Sequence, residues 1–304
     1  MNYTKHALSF REQSSLLISR GLIVDDPSEL ENYLQQVNYY RLSGYWFVFK
    51  DINPTTGTET FKPGTTFQMI QGRYEFDRKL RLLLLDAIER IEVAILRTRM
   101  VETHTNRFGP FGYADKKNYN PKFTQADFKK LLNDIVQDED RSHEEFIRRY
   151  RSKYTSETHL PLWMATELMS FGQLLTLYRN QDLSLKQTIA RQFELFPMVL
   201  DSWLLTLNYI RNSCAHHARL WNRPLPLKIK LPDQKHDTRW YSPAQIPNNT
   251  NFSVITVVQY LLTYILLDNQ WKNSIQQLLA AYPAIPLKPM GFPGKWQDLP
   301  LWRQ

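Results

Sequence analysis

The fold of this chain is decided by residues 76–95, which read FDRKLRLLLLDAIERIEVAI. Apolar residues recur here at spacings of three and four, from Leu80 to Ile95, and they form one apolar stripe on a helix. The pattern continues without proline from about Thr66 to Thr105 and predicts the longest helix of the chain. The charged residues between the apolar ones should form a solvated, salt-bridged face, and those nearest the stripe could pair with neighbouring helices.

Helical patterns continue on both sides of this segment. They share apolar residues at helical spacing and boundaries marked by Gly, Pro or a capping Ser. We expect these further helices at 7–20, 28–36, 124–137, 142–154, 161–179, 184–194, 197–217 and 252–281. The proline-rich stretch 224–247 is interpreted as an ordered connection, because its apolar residues need covering.

The region before the long helix contains the only signal for β-structure. Extended pieces are expected around 45–49 and 58–62, joined by the turn-forming sequence NPTTG at 53–57. The aromatic stretch 39–49 superficially resembles a base-stacking platform, but so apolar a run favours core packing. We therefore predict an all-α fold, an irregular helical bundle with at most a small β-hairpin near residues 45–62.

Length and composition limit the domain organisation. The chain has 304 residues, of which 42% are apolar and 22% charged, as in an ordinary globular protein. It is long enough for a large core. An N-terminal helical and hairpin segment, 1–65, packed on a helical domain, 66–304, fits this length, and so does one continuous domain, 1–304.

Charge and cysteine content indicate the compartment and the class of partner. The formal net charge of +8 favours partners that carry phosphate, although many basic proteins bind no nucleic acid. The single cysteine excludes an internal disulfide and fits a reducing compartment. No apolar run reaches the roughly 20 residues of a membrane span, and the first residues lack the pattern of a secretory signal. We expect a cytoplasmic protein with no membrane partner.

The densest polar cluster follows an apolar helix start and lies at 208–224, NYIRNSCAHHARLWNRP. A helix advances about 100° per residue, so Asn212 and His216 lie about 40° apart on one face. Arg211 lies about 100° to the other side of Asn212, within reach of a long, flexible side chain. These three side chains could therefore converge on one small anion.

This set of residues suits RNA cleavage without a metal ion. The 2′-hydroxyl of RNA attacks the adjacent phosphate and leaves a 2′,3′-cyclic phosphate end. The reaction needs a group that moves protons near neutral pH, such as His216. It also needs a fixed cation on the phosphate, such as Arg211, with Asn212 as a hydrogen-bonding third residue. The same residues could instead form an ordinary helix end, where histidines interact favourably with the helix dipole.

The arrangement also resembles known families. The Arg-Asn-three residues-His pattern resembles the R-X4-6-H signature of HEPN domains. The longer string RNSCAHHARLWNR, 211–223, resembles the AbiD/AbiF-like abortive-infection (Abi) family. So do YYRLSGYWFVFKD at 39–51, FDRKLRLLLLDAIERIEVAI at 76–95 and PLWMATELMSFGQLLTLY at 161–178. Together these segments cover most of the chain.

The resemblance implies an all-α HEPN-type domain with metal-independent endoribonuclease activity in bacterial phage defence. It also implies a homodimer with a composite active site, because only one motif is evident in the chain. Some Abi relatives are toxins held by a cognate antitoxin RNA or protein, and neither partner can be identified from this sequence. No cofactor is implied.

Carried over by position, Arg211 and His216 match the two defining residues of the motif, and Asn212 matches its polar third. Four residues after the motif match only the longer family string: His217, Arg219, Asn222 and Arg223. The resemblance gives them no role. Arg219 or Arg223 could contact a neighbouring phosphate, or could cap the helix and pack around Trp221.

Two further groups of residues are weaker candidates. Glu167 lies among apolar residues, where an unpaired carboxylate is costly, so it could pair with an arginine such as Arg211, orient His216 or form an ion pair elsewhere. We include Glu167, with His217, Arg219 and Arg223, among the candidate substrate-binding residues. The basic residues of 141–153 could follow an RNA backbone, although a solvated helix face is the simpler interpretation.

A metal site is not expected. Its only candidate ligands near the motif are Cys214, His216, His217 and His236, whose spacing matches no zinc site. Two other functions remain open: a non-catalytic RNA- or partner-binding HEPN scaffold, and a toxin that transfers nucleotides.

Overall fold

The computed structural model describes residue 2 and the ranges 6–266 and 270–303. The chain divides into two units. Unit 1 comprises Met1–Arg81 and Ile275–Pro286, and unit 2 comprises Leu82–Ser274 and Leu287–Gln304. The structure is mainly α-helical with one two-stranded sheet among the described residues, which confirms the predicted fold class.

The N-terminal part of unit 1 contains three helices: α1 (Phe10–Ser19), α2 (Pro27–Val37) and α3 (Tyr39–Trp46). Helix α1 begins with a capping box, because Ser9 accepts the N–H of Glu12 and the Glu12 carboxylate accepts the N–H of Ser9. Apolar side chains of the three helices pack into one core with the start of helix α4 (Phe67–Glu92). Its innermost members include Leu17, Leu30, Leu34, Leu42, Phe67 and Ile70.

The hairpin exists but starts later than the aromatic pattern predicts. Residues 45–49 are helical, and the strands are β1 (Lys50–Ile52) and β2 (Glu59–Phe61), paired antiparallel. The prediction of a strand at 45–49 was wrong because Leu42, Tyr45 and Trp46 are buried together on one face of α3. Their spacing of three and four is a helical one. The prediction that this stretch packs in the core is confirmed for these side chains.

One part of helix α4 departs from the predicted solvated face. Asp77 and Arg81 form an ion pair that is almost completely buried, and the Tyr45 hydroxyl donates to Asp77 at 2.6 Å. All three residues belong to unit 1. A buried carboxylate needs such partners, since burying it alone would be costly.

Unit 2 is built from the end of α4 and the helices that follow it. A π-helical segment, Val93–Arg99, directly follows α4. The later helices are α5 (Met100–Phe108), α6 (Gln125–Arg141), α7 (Glu145–Lys153), α8 (Leu162–Leu168), α9 (Phe171–Arg179), α10 (Leu183–Arg191), α11 (Pro197–Ala215), α12 (Asn251–Ile265) and α13 (Trp271–Ala281). Helix α13 extends from unit 2 into unit 1.

Two predicted helices are interrupted. The side chain of Arg97 lies in the first interruption and hydrogen-bonds to the backbone at the second. The long helix passes into the π segment, and the helix predicted over 161–179 breaks between α8 and α9. The guanidinium of Arg97, in the π segment, donates to the carbonyls of Thr166 and Met169, the latter at 2.9 Å. It therefore satisfies the orphan carbonyls at the end of α8. Arg97 also pairs with the nearly buried carboxylate of Glu92 at 2.6 Å.

The C-terminal helices were predicted as one helix over 252–281. The structure has α12 and α13 instead, and part of the connection, residues 267–269, lies outside the described residues. Helix α12 is buried on nearly all sides, as its continuous apolar sequence requires. No helix in the described ranges has the length and apolar character that crossing a membrane requires.

Candidate active site at the C-terminal end of helix α11

Helix α11 carries the polar motif and is fixed by its apolar side. Pro197 occupies the first turn, where a missing N–H costs nothing. Further along, Trp203, Leu207, Ile210 and Cys214 are buried. The indole N–H of Trp203 donates to the carbonyl of Lys230 at 2.8 Å. The end of the helix is therefore positioned by packing that leaves its other side open.

The helix ends in a Schellman turn. His216 is the C-cap residue, and the N–H of His217 donates to the carbonyl of Cys214 at 2.9 Å. The N–H of Ala218 donates to the carbonyl of Ser213 at 2.8 Å. This pair of bonds places His217 at the left-handed position, with φ 56°, where glycine is the usual residue. A β-carbon at this position introduces backbone strain.

The three predicted catalytic residues lie in the last turns of this helix and at its C-cap. Arg211, Asn212 and His216 are all exposed. The guanidinium of Arg211 donates to Oδ1 of Asn212 at 3.3 Å, so these two side chains are in contact. The backbone N–H of His216 donates to the carbonyl of Asn212 at 3.0 Å, which fixes the last helical turn beneath them. An imidazole, a carboxamide and a guanidinium are thus available to an anion from solvent.

The extension after the motif is anchored rather than free. Trp221 is buried, and the carbonyl of Leu220 accepts a hydrogen bond from Nδ2 of Asn251 at 2.7 Å. Asn222 adopts a second left-handed conformation, with φ 51°. Arg219 is partly buried and Arg223 is exposed, so the two arginines differ in access to a ligand.

Glu167 is not placed as its sequence context suggests. Its side chain is exposed on α8, so the cost of burying a carboxylate does not apply to it. In the described ranges no ion pair joins Glu167 to Arg211. Glu92 is one of the nearly buried carboxylates of unit 2, and it pairs with Arg97.

The other weak candidates are the basic residues of 141–153 and the possible metal ligands. Arg148 and Arg149 both pair with Glu145, at 2.8 and 2.9 Å, on the exposed side of α7. This is the solvated helix face that was the simpler interpretation. Cys214 is buried beneath the motif, and the ring of His236 packs against Phe196. Within the described ranges no three His, Cys, Asp or Glu side chains are grouped so that they could hold a metal ion.

Sequence reasoning missed a groove of about 860 Å³ in unit 2. Its walls come from residues 120–122, from α9 and α10, and from α11. Each contributing segment has an unremarkable sequence, and only the tertiary fold brings them together. A weak signal existed in the helical spacing of Asp201, Leu205 and Asn208, which puts polar residues on one side of α11.

Comparison with protein families identifies the chain. The family model described as Abi-like protein matches residues 32–222, which is more than half of the chain. The match begins in α2, includes α3 to α11 and ends just beyond the Schellman turn. The protein therefore belongs to the family of Abi-like proteins. Comparison with curated proteins and with solved structures gave no significant match.

Proposed function

We propose that this protein is a metal-independent endoribonuclease that acts in abortive infection. Membership of the Abi-like family supports the role in abortive infection. The observation that carries the nuclease proposal is the exposed set of Arg211, Asn212 and His216 on one helix end. The net charge of +8 agrees with a polyanionic substrate.

The proposed reaction uses only groups of the substrate and of these side chains. The neutral imidazole of His216 accepts the proton of the 2′-hydroxyl, and the 2′-oxygen forms a bond to phosphorus. The bond from phosphorus to the 5′-oxygen breaks, and that oxygen leaves with a proton from an acid. The products are a 2′,3′-cyclic phosphate and a 5′-hydroxyl. Arg211 binds the phosphate oxygens and stabilises their developing charge, and Asn212 positions Arg211 through its contact.

The proposal includes two copies of the chain and a cytoplasmic location. In a homodimer two motifs face each other, and the protonated His216 of the second copy, an imidazolium, gives its proton to the leaving 5′-oxygen. A cognate antitoxin, RNA or protein, would act by covering the exposed end of α11.

The test uses a labelled RNA, with EDTA present. We expect the wild-type protein to release fragments with 2′,3′-cyclic phosphate ends. His216→Ala and Arg211→Ala should each reduce the cleavage rate by about 10²–10⁴-fold, the range for a lost proton-transfer or charge-stabilising group. Toxicity in cells should fall with it, and the thermal midpoint should not change because both side chains are exposed.

The matched controls are His143→Ala and Arg148→Ala, which remove an exposed imidazole and an exposed guanidinium elsewhere in unit 2. Both should cleave like the wild type. Full activity of His216→Ala or Arg211→Ala would refute the proposed roles. Binding of RNA without fragments would indicate the scaffold function instead, and nucleotide adducts would indicate a transferase.

A further inference from the structure

The groove in unit 2 has an excess of positive charge. Lys122, Arg179 and Lys186 line it, and the carboxylate among its lining residues is that of Asp201. Asp201 lies 3.2 Å from Nε of Arg179 and 3.9 Å from Nζ of Lys186. One carboxylate between two cations holds them in place without neutralising both. A groove of this kind favours a polyanion such as a nucleic acid backbone.

The three cationic side chains differ in their exposure to solvent. Lys186 is largely buried, and its ammonium also donates to the carbonyl of Arg179 at 3.3 Å, so it supports the wall. The side chains of Lys122 and Arg179 are exposed. These two are therefore placed to contact phosphate groups from solvent.

The groove and the motif share one face of helix α11. Asp201, Leu205 and Asn208 line the groove, at relative positions 0, 4 and 7. Asn212 and His216 follow at positions 11 and 15 and lie within roughly 60° of Asp201 around the helix axis. Asn212 is about 6 Å and His216 about 12 Å beyond Asn208 along the helix. A strand lying in the groove therefore extends along this face to the proposed catalytic residues.

Two lining residues of the groove carry buried side-chain atoms that lack hydrogen-bond partners within the described part of the chain. These are Nε2 of Gln181, a residue that is 1% exposed, and Oδ1 of Asn208. The other end of the Gln181 amide contacts Nδ1 of His104 at 2.9 Å, which fixes its orientation. Unsatisfied polar groups destabilise a fold, and a functional site is one reason to retain them. The edge of an unpaired base offers both a donor and an acceptor.

We propose that this groove binds the single-stranded RNA adjacent to the cleaved phosphodiester. Lys122 and Arg179 contact its phosphates, and the partly exposed side chain of Asn208 hydrogen-bonds to the edge of one base. The proposal rests on the nuclease function above, for which it names the substrate path.

The test measures binding of a 2′-O-methyl RNA of about ten nucleotides, which lacks the attacking hydroxyl and cannot be cut. The double variant Lys122→Gln/Arg179→Gln should weaken its binding by about tenfold or more at moderate salt. Because two phosphate contacts are lost, the slope of log affinity against log salt should fall by about 1.4. Asn208→Leu should reduce discrimination among the four homopolymers.

The matched control is Arg148→Gln/Arg149→Gln, which removes the same charge from α7 and should bind like the wild type. If both double variants lost the same affinity for RNA, or if neither lost any, the proposal that the groove binds RNA would be refuted. If the wild type cuts unmodified RNA while the groove variants bind normally, only the groove proposal fails. If the wild type binds through the groove but cuts no RNA, only the nuclease proposal fails.

Discussion

Helix α4 carries the same Asp–Arg spacing twice, and the two pairs lie in opposite environments. Asp77 and Arg81, four residues apart, are 0% and 5% exposed at their side chains. Asp86 and Arg90, also four apart, are 54% and 48% exposed, with 3.1 Å between Oδ1 and the guanidinium nitrogen. Identical spacing therefore gives a partnered core pair in one place and a solvated pair in the other.

A charged pair therefore cannot be interpreted from its spacing alone. The buried pair has a third partner, the hydroxyl of Tyr45, which comes from a separate helix. Burial and the neighbouring carboxylate of Asp77 raise the pKa of Tyr45, so its proton stays available to donate. The polar side chains at the end of α11 are exposed instead of buried, so a ligand can reach them from solvent.

Removing the aspartate of each pair should affect stability very differently. Asp77→Ala leaves the buried guanidinium of Arg81 without its carboxylate and should reduce the free energy of unfolding by about 3–5 kcal/mol. Asp86→Ala removes a solvated pair with the same spacing and should cost about 0.5 kcal/mol or less. Denaturant unfolding of both variants measures the contrast. Equal losses would mean that burial does not distinguish the pairs.

The imidazole of His104 is buried, unlike the exposed imidazole of His216. Burial lowers the pKa of His104 below its usual value, against the opposing effect of its hydrogen bond to Gln181. The folded state then binds fewer protons than the unfolded state below about pH 6.5. Stability contributed by His104 is therefore complete above that pH and is lost as the pH falls towards the folded pKa.

His104→Gln removes this titration. We expect the wild type to lose more unfolding free energy than the variant between about pH 7.5 and about pH 5.5. His143→Gln, at an exposed position, serves as the control and should follow the wild type. Parallel pH profiles for wild type and His104→Gln would contradict the prediction.

A smaller change in stability is expected at the turn that ends α11. His217→Ala and His217→Gly both remove the imidazole, but only glycine relieves the strain at φ 56°. The glycine variant should be more stable than the alanine variant by about 1 kcal/mol. If cleavage needs the His217 imidazole, both variants should lose it equally. If cleavage needs only the turn, His217→Gly should retain it.

The sequence predicted the fold class and most helices, because apolar periodicity is a local signal. It did not predict the interruptions at Val93–Arg99 and before Ser170, where Arg97 binds carbonyls about seventy residues away in the sequence. The motif at the end of α11 was readable because its residues lie within one and a half helical turns. The groove was not, since Lys122, Arg179 and Asn208 come from separate segments.

Cys214 provides a natural chemical probe of local unfolding at the end of α11. It is the only cysteine in the sequence, and its thiol is buried two residues before the proposed catalytic imidazole. A thiol-specific reagent can therefore react only when the end of α11 detaches from its packing, and the labelling rate reports that opening. The last turn of the helix can thus be followed in the unmodified chain, without a reporter having to be introduced.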